Sequence, residues 1–302
     1  TNSFAQCDST GLAHDSLQWV VMGPTGSPSV GGTYRVLSSI KKYNDTLYLG
    51  GAFNYVGRYT GSCIGFDTST GDYININGWP RINGDVKNVI SDGSGGLIIM
   101  GKFTRAGDSL RNNIVRISST GAVTSFNPNV SDTVLCGLVH NGKLYIGGAF
   151  SSVNGNTRNG AAAFSLSTGA LDNSWIPNTG TIRCMETDGS SIYLGGSFSS
   201  AGGAARNCLA AVNMTNGAAT AFVNNANSTV FTMKIYNGRL YFGGWFTTVN
   251  SVTRNKLASV TLATNTLDSW NPNVTSQYPW GLGGQVATLD VGGSKVGPTF
   301  RQ

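Results

Sequence analysis

The chain has 302 residues, a formal charge of +6 and only 11% charged side chains, with 42 glycines and a lone glutamate, Glu186. Few strong helix formers among many turn formers exclude a helical protein, and evenly spread hydrophobic residues at 40% exclude disorder. No apolar run reaches the ~18 residues of a membrane helix; the basic residues are scattered, with Lys41-Lys42 the sole doublet, where a nucleic-acid binder would cluster them.

The first residue is Thr1, as expected of a trimmed chain that has lost any targeting peptide. The first predicted elements lie in Phe4–Trp19, whose Ser9-Thr10-Gly11 turn matches Ser167-Thr168-Gly169 in Ala162–Trp175. A segment of strand, tight turn, strand and Gly-Gly-x-Phe then recurs at Thr46–Phe53, Gly96–Phe103, Lys143–Phe150, Ser191–Phe198 and Arg239–Phe246, with a degenerate copy at Lys295–Phe300. The Phe anchors are spaced by 50, 47, 48, 48 and 54 residues. Fixed periods of this length mark repeats that stack on one another.

The middle copy shows one unit. Thr133–His140 alternates as a strand, Asn141-Gly142 is a type I′ hairpin signal, and Lys143–Ile146 is the second strand. A polar loop covers Ser151–Asn159, Gly160–Leu166 is the third strand, Ala170–Trp175 the fourth, and Pro177 ends the unit. Four short antiparallel strands in under fifty residues predict a β-propeller blade. The chain stops half a blade after its fifth full unit, and Phe4–Trp19 supplies the missing half. The predicted fold is therefore all-β: one domain over 1–302, a six-bladed propeller of four-stranded antiparallel blades. The blades are approximately 35–85, 86–132, 133–180, 181–228, 229–275, and 285–302 plus 1–19, with the sixth shared between the N- and C-termini. Closure removes the sheet edge that an open array exposes. Residues near Phe4–Trp19 are expected to pair in one sheet with residues near Gln285–Phe300; the alternative is a fragment of a longer array.

These LYxGGxF, Arg-Asn and Trp-x-Pro elements resemble the delta-60-type β-propeller repeats of bacterial and phage surface proteins. The Gly doublet and following Trp are also similar to kelch and galactose-oxidase blades. The resemblance implies a blade type and no particular activity. A copper site of galactose-oxidase type does not carry over, because His14 and His140 occupy different repeat positions.

Most conspicuous residues have a structural explanation in the repeat. Arg111-Asn112, Arg158-Asn159, Arg206-Asn207 and Arg254-Asn255 share one position before the third strand, where each Arg is expected to tie down its loop through carbonyl oxygens. Trp19, Trp79, Trp175 and Trp270, with Phe126 and Phe222, are expected to pack blade on blade. Cys136 and Cys184 share a position in adjacent blades and are not expected to form a disulfide. The sequons at Asn44, Asn129, Asn213, Asn227 and Asn273 arise by chance in so Asn-, Ser- and Thr-rich a chain.

The aromatic residues outside the repeat pattern mark the candidate site. Trp245 occupies the variable position of Gly-Gly-x-Phe, and Trp280 lies in an inserted loop. Blade-to-blade loops of 16 residues after Trp270 and 20 after Trp19 exceed the 9 or 10 of the others. They carry Tyr278, Pro279 and Trp280, and Met22, Pro24 and Pro28. Both are expected on the face opposite the tight hairpin turns, together with Trp245, and loops on a rigid scaffold are where recognition concentrates.

No hydrolase triad, carboxylate pair or C-x-x-C metal motif is visible, so no catalytic residue, metal or cofactor is expected. A Ser-, Thr-, Asn- and Gly-rich surface costs little to desolvate, which suits packing in an assembly. The expected function is a non-catalytic structural or interaction module, extracellular, on a cell surface or on a virion, binding other protein subunits including copies of itself. A carbohydrate-binding adhesin or receptor-binding module competes with this reading, and an enzyme at the central channel is the third.

Overall fold

A computed structural model describes residues 80–274 throughout, together with the strands at 19–22, 39–43, 46–50, 55–58, 285–292 and 295–301. No helix occurs among these residues. The chain divides into two compact units, Thr1–Ile64 and Gly65–Gln302, which are taken in turn.

In the first unit, Ser39–Tyr43 and Thr46–Gly50 form the hairpin expected around Asn44-Asp45, with Tyr43 opposite Thr46. Trp19–Met22 pairs antiparallel with Tyr55–Arg58, Trp19 opposite Arg58 and Met22 opposite Tyr55. Of the N-terminal segment expected to complete the sixth blade, Phe4–Gln18 lies outside the described residues. Its last residue, Trp19, is paired within this unit.

The second unit repeats one sheet. Val134–His140, Lys143–Gly148 and Ala161–Ser165 run in that spatial order, with Lys143–Gly148 in the middle. The same order holds for Asp85–Ser91, Leu97–Lys102 and Ile114–Ile117, for Thr181–Thr187, Ser191–Ser197 and Leu209–Asn213, and for Val230–Tyr236, Arg239–Gly244 and Leu257–Thr261. Gln285–Gly292 and Lys295–Arg301 form a two-stranded sheet. First strands of successive sheets lie side by side. The hairpin turns behave as predicted: Asn141 and Gly142 both have positive φ, 46° and 71°, as do Asn237 and Gly238.

Two expectations need correction. Among the described blades the fourth strand is a full partner only in the fifth, where Thr266–Leu267 pairs with Val260 and Thr261. Elsewhere among the described blades it shrinks to a single bridge, Ile117 to Val123, Phe164 to Leu171 and Val212 to Ala219. The loop Ser151–Asn159 is not irregular. It folds as a miniature hairpin, Ser152–Val153 against Asn156–Thr157, and Val153 bridges Val130 at the entry to its blade.

Glycine in the doublet answers two different contacts. A Cβ on the first glycine would meet the next blade: at Gly147 it would lie 2.6 Å from Ile182 Cγ2 and 2.8 Å from Met185 Cε, and at Gly195 2.6 Å from Met233 Cε. A Cβ on the second would collide with the first strand of its own blade. At Gly148, Gly196 and Gly244 the obstacles are the carbonyl oxygens of Thr133, Thr181 and Thr229. Those strands bulge at that level, with one extra residue between Val134 and Cys136, Ile182 and Cys184, or Val230 and Thr232. Where the second blade has Met100 in place of the first glycine, the facing strand has Gly137 in place of a methionine, and a Cβ there would lie 2.6 Å from Met100 Sδ.

Charge supports the joints. Asp92, in the turn of the second blade, accepts the Ser94 and Gly96 N–H groups at 2.8 and 2.9 Å and pairs with Arg116 at 2.8 Å. Arg116 reaches on to the Leu166 carbonyl oxygen of the third blade at 2.7 Å. Burial alone would raise the Asp92 pKa, but these donors outweigh it and hold it at about 2. Because the folded value is depressed, its stabilisation is complete above the unfolded carboxylate pKa near 3.9 and is lost as pH falls through about 2, a difference of about 2 kcal/mol. Urea midpoints should therefore fall between pH 4 and pH 2. Asp92→Asn should lower the midpoint at neutral pH and flatten that part of the acid profile. An unchanged acid limb in the variant would mean that Asp92 is not one of the groups responsible.

Candidate functional site

The repeating polar residues are engaged within the fold. Arg158 donates to the Thr157 carbonyl at 2.8 Å and to Asn173 Oδ1 at 2.6 Å; Arg206 and Arg254 likewise donate to the carbonyls of Phe222 and Thr220, and of Thr253 and Asp268. The asparagine after each arginine latches its blade to the next connecting segment. Asn112, Asn159 and Asn255 donate to Asn129, Asn178 and Asn273 at 2.6, 2.7 and 2.6 Å. Sequon residues thus serve as latches: Asn129 and Asn273 in these pairs, and Asn227 by accepting the Thr247 and Thr248 N–H groups. Trp175 is fully buried, stands edge-on to Tyr145 at 5.1 Å and donates its indole N–H to Asn213 O of the next blade. Phe222 meets Tyr193 and Trp270 meets Tyr241 in the same way.

Cys136, Cys184 and Cys208 are free thiols. Burial pushes the thiol pKa of each up, so they remain protonated near neutral pH and weak as nucleophiles. Among the described residues, no three His, Cys, Asp or Glu side chains come together as a metal site.

Trp245 follows the second strand of the fifth blade, at the end opposite the Asn237-Gly238 turn, where the sequence places it. Its backbone N–H donates to Thr229 O at 2.9 Å, which fixes the main chain, yet the residue is 53% exposed. Its indole stands edge-on to Phe231 at 5.3 Å between ring centroids, and the Arg183 guanidinium carbon of the fourth blade lies 5.0 Å from the Phe231 centroid. Phe231 and Arg183 are the extra residues of the bulges in their first strands. This Arg–Phe–Trp cluster escaped the sequence analysis. The available signal was positional: Lys87, Leu135, Arg183, Phe231 and Ala287 hold one repeat position, and it varies as the doublet's third residue does.

At the same end of the second and third blades, a cleft of about 610 Å³ is lined by Asn83, Lys102, Asn112, Asn129, Ser131 and Asp132, among others. Lys102 stands 4.0 Å from Asp132. Of the other expected site residues, Met22 ends the strand paired with Tyr55–Arg58 in the first unit. Pro24, Tyr278, Pro279 and Trp280 lie outside the described residues, and so does the meeting of the two long loops.

A family model described as "Domain of unknown function (DUF5122) beta-propeller" matches residues 93–123, 141–174 and 237–258, together under a third of the chain. No curated protein matches. Among solved structures, the computationally designed Ika8 protein aligns at TM-score 0.51 and 10% identity, over 88% of this chain and 69% of that one. The extracellular domain of the putative one component system BT4673 from B. thetaiotaomicron aligns at TM-score 0.46 and 13% identity, over 95% of this chain and 33% of that one. The Neurospora crassa Pan2 WD40 domain aligns at TM-score 0.46 and 10% identity, over 84% and 72%. The family match and the repeat of sheets, helix-free among the described residues, support a β-propeller repeat fold.

Proposed function

We propose that the protein is a non-catalytic recognition and assembly propeller, working outside the cell or on a virion, that binds other protein subunits through the loop end of its blades. One observation carries this reading. A tryptophan anchored by its backbone is left more than half exposed, at a repeat position where other copies have Lys102, Ala149 and Ser197. Trp is favoured as a binding anchor because it buries a large area at small entropic cost. The chain's sparse charge, 11% of its residues, supports close packing against a partner. In the same reading, six units of delta-60 type close a ring, with the sixth blade completed by the N-terminal segment, and the long loops carrying Tyr278, Pro279 and Trp280, and Met22 and Pro24, extend the contact surface. Electron microscopy of the native material should show the loop end in contact with a neighbouring subunit. Trp245→Ala should weaken that contact by more than ~1 kcal/mol and leave the fold intact. Assembly that proceeds normally with the variant would remove the basis of the proposal.

The polar cleft favours a second reading, a carbohydrate-binding module, because amides and hydroxyls line its mouth. A glycan array supports it if binding depends on Asp132 or Lys102 and not on Trp245.

A further inference from the structure

We infer that Arg183 and Trp245 together form a docking site for an acidic segment of a partner protein, in which a carboxylate sits on the Arg183 guanidinium and an apolar side chain two residues away covers the Trp245 indole. This rests on the assembly reading and names the chemistry of the partner. The contrast with the repeating residues is the main evidence. Arg158 and Arg254 donate through their terminal guanidinium nitrogens, and Arg206 and Trp175 through side-chain N–H groups as well, to oxygens of the fold. Arg183 and Trp245 have no side-chain hydrogen bond or ion pair among the described residues; each touches Phe231 instead. A guanidinium held over a ring keeps its N–H edge free for bidentate pairing with a carboxylate, and the ring limits the rotamer freedom lost on binding.

Among the described residues the Arg183 charge is also without an ion-pair partner. The nearest acid along the same strand, Glu186, pairs with Lys234 at 3.2 Å, while Lys102 and Lys87 at the same end of the second blade have Asp132 and Asp85 beside them. The spacing fits an extended chain. The two ring contacts place the guanidinium carbon within about 10 Å of the indole, and residues i and i+2 on one face of a strand lie ~6.6 Å apart before their side chains reach outward. An acidic residue, any residue and an apolar residue, in that order or its reverse, span the pair.

The test uses the full chain and a capped peptide, acetyl-Gly-Asp-Ala-Leu-Gly-amide, with an Asn-for-Asp peptide as control. The Trp245 indole N–H resonance, assigned by its loss in Trp245→Phe, reports binding. Saturable shifts are expected with the acidic peptide, with affinity at least tenfold lower for the neutral one, for Arg183→Gln, and at 0.5 M salt. Equal affinity of the two peptides, or binding unchanged in Arg183→Gln, would overturn the inference. So would an oligomer of glucuronic acid binding more tightly than the peptide, which would make the site one for acidic glycans. If native assembly depends on Trp245 but not on Arg183, this inference fails and the assembly reading stands. Assembly indifferent to both variants would sink both.

Discussion

Exchanging Met100 and Gly137 together should leave a folded protein, although either change alone should cost about 1 kcal/mol or more. In the third and fourth blades the first doublet glycine accommodates a methionine from the next blade, Gly147 under Met185 and Gly195 under Met233. Between the second and third blades the pair is inverted: Met100 projects and Gly137 yields. Met100 is fully buried with Ile98, Ile114, Leu144 and Ile146. Met100→Gly removes that side chain and leaves a cavity, which by large-to-small precedent costs about 3 kcal/mol or more. Gly137→Met forces a second thioether into space already filled by Met100 Sδ and Cε, 2.6 and 2.9 Å from where its Cβ would stand. Overpacking of this kind costs about 1–3 kcal/mol. The double variant restores the arrangement of the neighbouring joints and conserves volume. Urea unfolding of the four proteins should yield a favourable coupling of at least ~2 kcal/mol. Additive losses would show that the two side chains do not share one space.

The joint was not legible in the sequence, although its parts were. Met100 replaces the first glycine of the doublet in the second blade, but neither it nor Gly137 carries meaning until the pairing of Cys136 with Gly147 sets the register. The strands and turns were easier to read, because alternation and Asn-Gly dipeptides act within a few residues. Asn154-Gly155 carries the same turn signal, with φ of 47° and 75°, and yet marks a two-residue hairpin inside what reads as a polar loop. Such a hairpin has no apolar face of its own, so periodicity misses it. The fourth strand fails for the opposite reason. Ala170–Trp175 alternates well enough, but it lies at the outer edge with one neighbour, and only Ser165 N–H to Ala170 O and Asp172 N–H to Ala163 O are made before Asp172 turns its carboxylate to Ser174. In the candidate site, Trp245 was visible because it broke a repeat. Arg183 and Phe231 were not, since a bulge residue is identified only by what fails to stand opposite it.

Alanine at Gly148 should cost more than ~3 kcal/mol, whereas alanine at Gly142 should cost about 1 kcal/mol, although both are glycines of the same hairpin. Gly142 sits in the turn with φ of 71°, and a Cβ there meets nothing within 4 Å; only the left-handed backbone opposes it. At Gly148 the obstacle is the main chain. The bulge at Leu135 brings the Thr133 carbonyl onto Gly148, with Ala149 N–H bonded to that oxygen at 3.0 Å, and a Cβ would strike the oxygen and stand 3.0 Å from Val134 Cα and Phe150 Cδ1. No rotamer change relieves a clash with backbone. The strand must open its bulge, lose the Ala149 hydrogen bond and disturb Phe150, which is buried with Val153 and Ile146. The same change in the fifth blade has a second readout. Gly244 faces Thr229 O, the acceptor for Trp245 N–H, and Phe231 is the bulge residue of that strand. Gly244→Ala should therefore shift the Trp245 fluorescence and the near-ultraviolet dichroism of the Phe231–Trp245 pair under conditions where the protein is still folded. Gly238→Ala, in the open turn at the other end, should leave both spectra unchanged. If Gly148→Ala and Gly142→Ala unfold at similar urea concentrations, or if Gly244→Ala leaves the tryptophan spectrum as it was, the bulge does not set the position of the exposed tryptophan.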